Sequence, residues 1–98
     1  MDKPIVTNMP VGLQHEARCI IESAINQFDR NEEREDFIAY EFSRKKSTKY
    51  RCSIRDLSSR LSVYVNTLPA LSDCLMIAFS VNGQIIYLGD ENIPLPPN

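Results

Sequence analysis

The chain has 98 residues, 43% hydrophobic and 24% charged, the size and balance of one ordinary globular domain. That balance excludes collagen-like, mucin-like and wholly disordered chains, and the longest apolar run, 74–79, falls far short of the ~20 residues of a membrane helix. The net charge of −2 hides a segregation: residues 1–43 carry nine acids and four bases, residues 44–60 seven bases and one acid, and residues 61–98 three acids and no base.

In chain order, residues 1–11 contain Pro4 and Pro10 and little pattern, and they read as an extended arm. Met1-Asp2-Lys3-Pro4 lacks an apolar signal core, so a cytoplasmic home is expected. Leu13, Ala17, Ile20, Ile21, Ala24, Ile25 and Phe28 then recur on one helical stripe, which predicts a helix over 13–29. His15 lies off that stripe and reads as plain surface. The polar run 29–36 reads as a loop or frayed end. In 37–42, Ile38, Tyr40 and Phe42 alternate with Phe37, Ala39 and Glu41, which predicts a strand; a helix through 33–44 is the competing reading, because Glu, Arg and Ala also suit helices. The stretch 44–48 reads as a turn. Tyr50, Cys52 and Ile54 alternate with Arg51, Ser53 and Arg55, which predicts a partner strand and hence a hairpin with a basic tip.

Asp56 can cap a helix over 57–67, whose stripe is Leu57, Leu61, Val65 and Leu68 and which Pro69 would end. The apolar run 74–81 and the segment 84–88 flank Asn82-Gly83, a pair suited to the positive φ angles of a two-residue hairpin turn. Pro94, Pro96 and Pro97 keep the tail 92–98 out of a central strand. The sum is a single α+β domain over 12–91, ordered roughly α-β-β-α-β-β, with the two helices on one face of an antiparallel sheet. The expected core is Leu13, Ala17, Ile20, Ile21, Ala24, Phe28, Ile38, Tyr40, Phe42, Leu57, Leu61, Val65, Leu75, Ile77, Phe79, Ile86 and Leu88. Strand 74–81 is apolar on both faces, more than two helices on one side can cover. That makes a homodimer, through a sheet edge or an apolar face, an expectation.

For chemistry the sequence offers little. His15 is the one imidazole, the three glycines build no phosphate loop, and the adjacent carboxylates lie in charged or turn segments. The expectation is therefore no enzyme, no catalytic residue and no cofactor. Cys19, Cys52 and Cys74 fit no paired spacing; a zinc site in one chain would need all three with His15, so buried free thiols and no metal are expected.

Two functional readings remain. The first is a small protein-binding module, an inhibitor, adaptor or regulator, meeting an acidic partner through Arg44, Lys45, Lys46, Lys49, Arg51 and Arg55. By analogy, a mobile-element antagonist of a host machine would have this profile. The bland alternative is a solvated hairpin whose charges pair with the acidic run 29–36. The second reading starts from residues 54–72, IRDLSSRLSVYVNTLPALS. This segment resembles a helix-turn-helix, with the 74–88 hairpin as its wing. The resemblance covers about a fifth of the chain and implies a winged-helix DNA-binding transcriptional regulator using 55–72, with Arg55, Arg60, Tyr64, Asn66 and Thr67 near DNA. The segment departs from the pattern at Pro69 inside the second helix, at Ser62 in place of the usual turn glycine, and in having no Lys or Arg beyond Arg60.

Overall fold

The computed structural model describes residues 3–68 and 73–97. The Asn82-Gly83 turn forms as expected, with φ of 50° and 78°, and it pairs β3 (Met76–Val81) with β4 (Gln84–Asp90) in antiparallel register from Val81↔Gln84 to Met76↔Gly89. β2 (Tyr50–Asp56) lies antiparallel to β4 along its whole length, and the short β1 (Val6–Thr7) lies antiparallel to β3, giving the sheet order β1-β3-β4-β2. Together with the three helices among the described residues, this is an α+β domain.

Side chains alternate across the hairpin, so each face carries its own core. Ile77, Phe79, Ile86 and Leu88 point to one face, and Tyr50 and Ile54 of β2 join them. Two helices cover that face: α1 (Val11–Gln27), through Ala17, Ile21 and Ala24, and α2 (Asn31–Ser43), through Ile38 and Phe42. Met76, Ala78, Ile85 and Tyr87 point to the other face. The short α3 (Arg60–Tyr64) and the turn after it cover it with Leu61, Val65 and Leu68, and the tail adds Ile93. The expected placement of both helices on one face is thus corrected. The apolar strand is covered on both sides within one chain and needs no second copy for that purpose.

The largest correction is at 37–42, which is helical. Of the polar run 29–36 only Asp29 and Arg30 form a link: α2 starts at Asn31, with Glu32 and Glu33 in the first turn, where carboxylates complement the helix dipole. Arg34 donates from Nε to the Phe28 carbonyl at 2.7 Å and from Nη2 to the Ile25 carbonyl at 3.4 Å, so it closes the C-terminus of α1 while sitting in α2. Ile38 and Phe42, four apart, fit a helical face as well as a strand. Tyr40, the residue that separates the two readings, is 65% exposed.

The predicted helix 57–67 is also shortened. β2 runs on to Asp56, and Leu57 N–H donates to the Gly83 carbonyl, so the chain leaves the sheet too late to turn helical at 57. Leu57 is 41% exposed and leaves the expected core, and residues 65–67 form a turn. Pro69, expected to end that helix, lies outside the described residues.

Both sheet edges are fastened by side chains. On the β1 side, the Asn8 amide imitates a strand: Nδ2 donates to the Cys74 carbonyl at 2.9 Å and Oδ1 accepts from Met76 N–H at 2.8 Å. On the β2 side, Ser43 Oγ accepts from Tyr50 N–H at 2.8 Å, and Glu35 Oε2 accepts from Ile54 N–H at 2.7 Å. These caps occupy donors that an incoming strand would use. Near the other end of β4, a Cβ on Gly89 would lie 2.1 Å from Tyr87 Oη, so glycine is what the neighbouring buried phenol leaves room for.

Two predictions follow from the capped edge and the buried acids. Glu35→Ala leaves the Ile54 N–H without its acceptor and is expected to cost about 1–3 kcal/mol in denaturant unfolding, with Glu35→Gln losing less because it keeps an amide oxygen. Burial, and then the nearby Glu35 carboxylate, pushes the Cys52 thiol well above its ordinary 9.0; burial first, then Asp90 and Cys74, raises Tyr50 above 10.0. These groups stay protonated in the folded chain where the unfolded chain has ionised. Their contribution is complete below the ordinary values and is lost as pH climbs from there toward the raised ones. The unfolding midpoint should hold steady near neutrality and fall from about pH 9 upward, with Cys52→Ala delaying the onset.

Candidate functional site

The six basic residues expected on one surface divide into two groups. Arg44, Lys45, Lys46 and Lys49 lie at the C-terminal end of α2 and in the loop to β2, a helix–loop–strand rather than a hairpin tip. Arg51 and Arg55 alternate onto the opposite face of the sheet. There Arg51 Nη2 donates to the Ile93 carbonyl, and Arg55 Nη1 donates to the Pro96 carbonyl at 2.8 Å. Tyr64 adds a hydroxyl bond to the Pro94 carbonyl. The proline-rich tail is thus strapped across the α3 face, and these two arginines are its fastenings. Prolines suit the strap because it uses their carbonyls as acceptors and asks for no N–H.

Within the loop group, Lys46 is structural. Its ammonium meets Glu16 of α1 and stands 4.0 Å from the centroid of the Phe42 ring. Arg44 pairs with Glu41 at 3.4 Å. These pairings are to Glu16 and Glu41, not to the acidic run 29–36. Among the described residues, Lys45 and Lys49 have no ion-pair partner, and both are exposed.

Two surface concavities flank this loop. One, of about 490 Å³, is lined by Ala39, Tyr40, Ser43, Arg44, Lys49 and Tyr50, with Glu91 at its rim. The other, of about 520 Å³, lies between α1 and α2 against Leu13, Ile20, Glu41 and Lys45. Tyr40 was assigned to the core from its alternation and stands instead as an exposed aromatic in the first concavity. Its place two residues from each of the buried Ile38 and Phe42, about half a turn round the helix from both, is the sequence signal that marks it as outward once 31–43 is read as helix.

The groups of the helix-turn-helix resemblance are placed differently. Arg60 is exposed at the start of α3, while Arg55 and Tyr64 hold the tail. Asn66 Nδ2 donates to the Ser62 carbonyl at 2.9 Å, and Thr67 Oγ1 to the Tyr64 carbonyl at 2.7 Å. α3 spans five residues, and 69–72 of the would-be second helix lie outside the described residues.

All three cysteines are free; Cys52 and Cys74 are half-buried, while Cys19, expected inside, is exposed on α1. Among the described residues no group of three or more His, Cys, Asp or Glu is gathered as a metal site, and no helix is long and apolar enough to cross a membrane. No protein-family model matches the chain, and no curated protein shows significant similarity to it.

The two basic groups should separate by measurement. Arg51→Ala and Arg55→Ala are each expected to lower folding stability by about 1 kcal/mol through loss of a tail contact, while Lys45→Ala and Lys49→Ala should stay within about 0.5 kcal/mol of the parent in urea unfolding.

Proposed function

We propose that this chain is a non-enzymatic protein-binding module, an inhibitor, adaptor or regulator, that engages an acidic partner through the end of the molecule built by the α2 C-terminus and the α2–β2 loop. The observation that carries this reading is Tyr40, an exposed aromatic lining one concavity with Lys49, with Lys45 exposed on the same loop, both cations without an ion-pair partner among the described residues. Aromatic anchors beside cations are the usual makings of an interaction hot spot, and exposed cations steer an acidic partner into place. The fixed Lys46–Glu16 and Arg44–Glu41 pairs hold the loop against α1 and α2, so the free cations project from a rigid base. Three free cysteines, one of them exposed, suit a reducing cytoplasm.

The test is capture from nuclease-treated source-cell lysate with the parent chain, a Lys45→Glu/Lys49→Glu variant and Tyr40→Ala, all of equal stability. A protein held by the parent, weakened about tenfold or more by either change and released by salt, is the expected result. Equal capture by all three, or retention that disappears with nuclease, would remove this surface from the reading.

A further inference from the structure

The tail 92–97 is held as a bound peptide is held. Arg51, Tyr64 and Arg55 donate in turn to the carbonyls of Ile93, Pro94 and Pro96, the last at 2.8 Å from Arg55 Nη1. Arg55 is itself steadied by Ser53, whose Oγ accepts from Arg55 Nε at 3.0 Å. Ile93 is 1% exposed in the cluster of Leu61, Val65, Met76, Ile85 and Tyr87, and Leu95, half-buried, packs against the same cluster. Pro94 and Pro97 face solvent. Spaced carbonyls and apolar side chains are what a groove reads in an extended peptide.

The tail suits that grip for a reason written in its sequence: each residue from Ile93 to Pro97 is a proline or precedes one. Proline fixes its own φ near about −65° and pushes the residue before it toward extended backbone, so such a segment has little entropy left to lose on docking. The fit is incomplete at one point. Tyr87 is fully buried on this face, in the cluster that Ile93 joins, and its hydroxyl has no hydrogen-bond partner among the described residues. Burial pushes this phenol above its ordinary 10.0, Arg51 draws it back, and Tyr64, Asp90 and Cys74 add to the rise. The orphan hydroxyl therefore stands within electrostatic range of two side chains that fasten the tail. A buried hydroxyl left unpaired opposes whatever covers it. The resident tail fills the apolar and carbonyl-reading positions of this face and leaves a polar one unused.

We infer that this face of the sheet is a docking site for a proline-rich segment of a partner protein, and that the chain's own tail holds the site until such a segment displaces it. The partner segment carries what the tail carries: an apolar residue for the Ile93 position, prolines after it, and carbonyls for Arg51, Tyr64 and Arg55. An acceptor that meets Tyr87 Oη gives it an advantage that the resident tail lacks. The advantage of the tail is its tether, which keeps it at a high effective concentration beside the site. The site lies on the sheet face away from α1 and α2, and it stands whether or not the basic loop binds an acidic partner.

The experiment uses the full chain and a fluorescein-labelled peptide, NIPLPPN, the sequence of residues 92–98, and reads binding by fluorescence anisotropy. Two full-chain variants loosen the resident tail and leave the receiving face intact: Ile93→Ser removes its buried anchor and Leu95→Ser its half-buried one. Both are expected to bind the peptide at least about tenfold more tightly than the parent does, because the tethered competitor is weakened. Adding Arg51→Ala and Arg55→Ala to Leu95→Ser should cost about tenfold in that affinity, and so should replacing the three prolines of the peptide by alanine. If loosening the tail unfolds a variant, the peptide in trans should restore its circular dichroism. Folded variants that bind no better than the parent, binding indifferent to the arginines or to the prolines, or unfolded variants that the peptide does not restore would overturn the inference.

Discussion

Everything in this molecule answers to one constraint: the β3–β4 hairpin is apolar on both faces. A two-residue turn at Asn82-Gly83 sets the register, and the register sends Ile77, Phe79, Ile86 and Leu88 one way and Met76, Ala78, Ile85 and Tyr87 the other. Both sets must leave water, so the chain builds two unlike covers. One is regular, a pair of helices long enough to span the sheet. The other is improvised from a five-residue helix, a turn and a proline-rich tail. The improvised cover has few apolar anchors, and Arg51, Arg55 and Tyr64 compensate by bonding tail carbonyls directly. Two cations that look like part of a binding surface are thereby committed to holding the fold together.

The legibility of this fold follows the density of its periodic signals. The α1 stripe repeats seven times and points to a helix there; the Asn-Gly pair demands a conformation few other residues tolerate and marks the hairpin. β2 alternates cleanly because its two faces meet different surroundings, a core on one side and on the other the tail's backbone carbonyls. The segment 31–43 misleads because its buried positions, Ile38 and Phe42, fit period two and period 3.6 alike, and because its first turn is charged for a reason that sits outside the local pattern. Arg34 caps a different helix, and Glu35 caps a strand nineteen residues ahead. Residues 57–67 mislead because a long-range contact, Leu57 N–H to Gly83, decides where the strand ends. The second cover was legible only in Leu61, Val65 and Leu68 of the expected stripe: nothing local says that Ile93, set with Leu95 among prolines, seals a core.

The candidate site was legible in composition but not in arrangement. Seven bases in seventeen residues announce a basic segment, yet alternation along β2 and pairing with α1 remove Arg51, Arg55 and Lys46 from the free surface. What remains is smaller, Lys49 lining a concavity with Tyr40 and Lys45 exposed on the same loop. The side-chain caps on the sheet edges fit the same economy of exposed bonding groups: with Ser43 and Glu35 on β2 and Asn8 on the β1 side, donors that an incoming strand would use are already taken.

The central claim is that one chain buries both faces of β3–β4 by itself and leaves the α2–β2 loop free. Amide hydrogen exchange on the chain, followed at two protein concentrations, tests this most directly. The account predicts the slowest exchange in Met76–Val81 and Gln84–Asp90, a protected Ile93 amide, fast exchange over 45–48, and the same rates at both concentrations. Fast exchange in β3, or protection of β3 and β4 that grows with concentration, would mean that another copy covers a face and would contradict it.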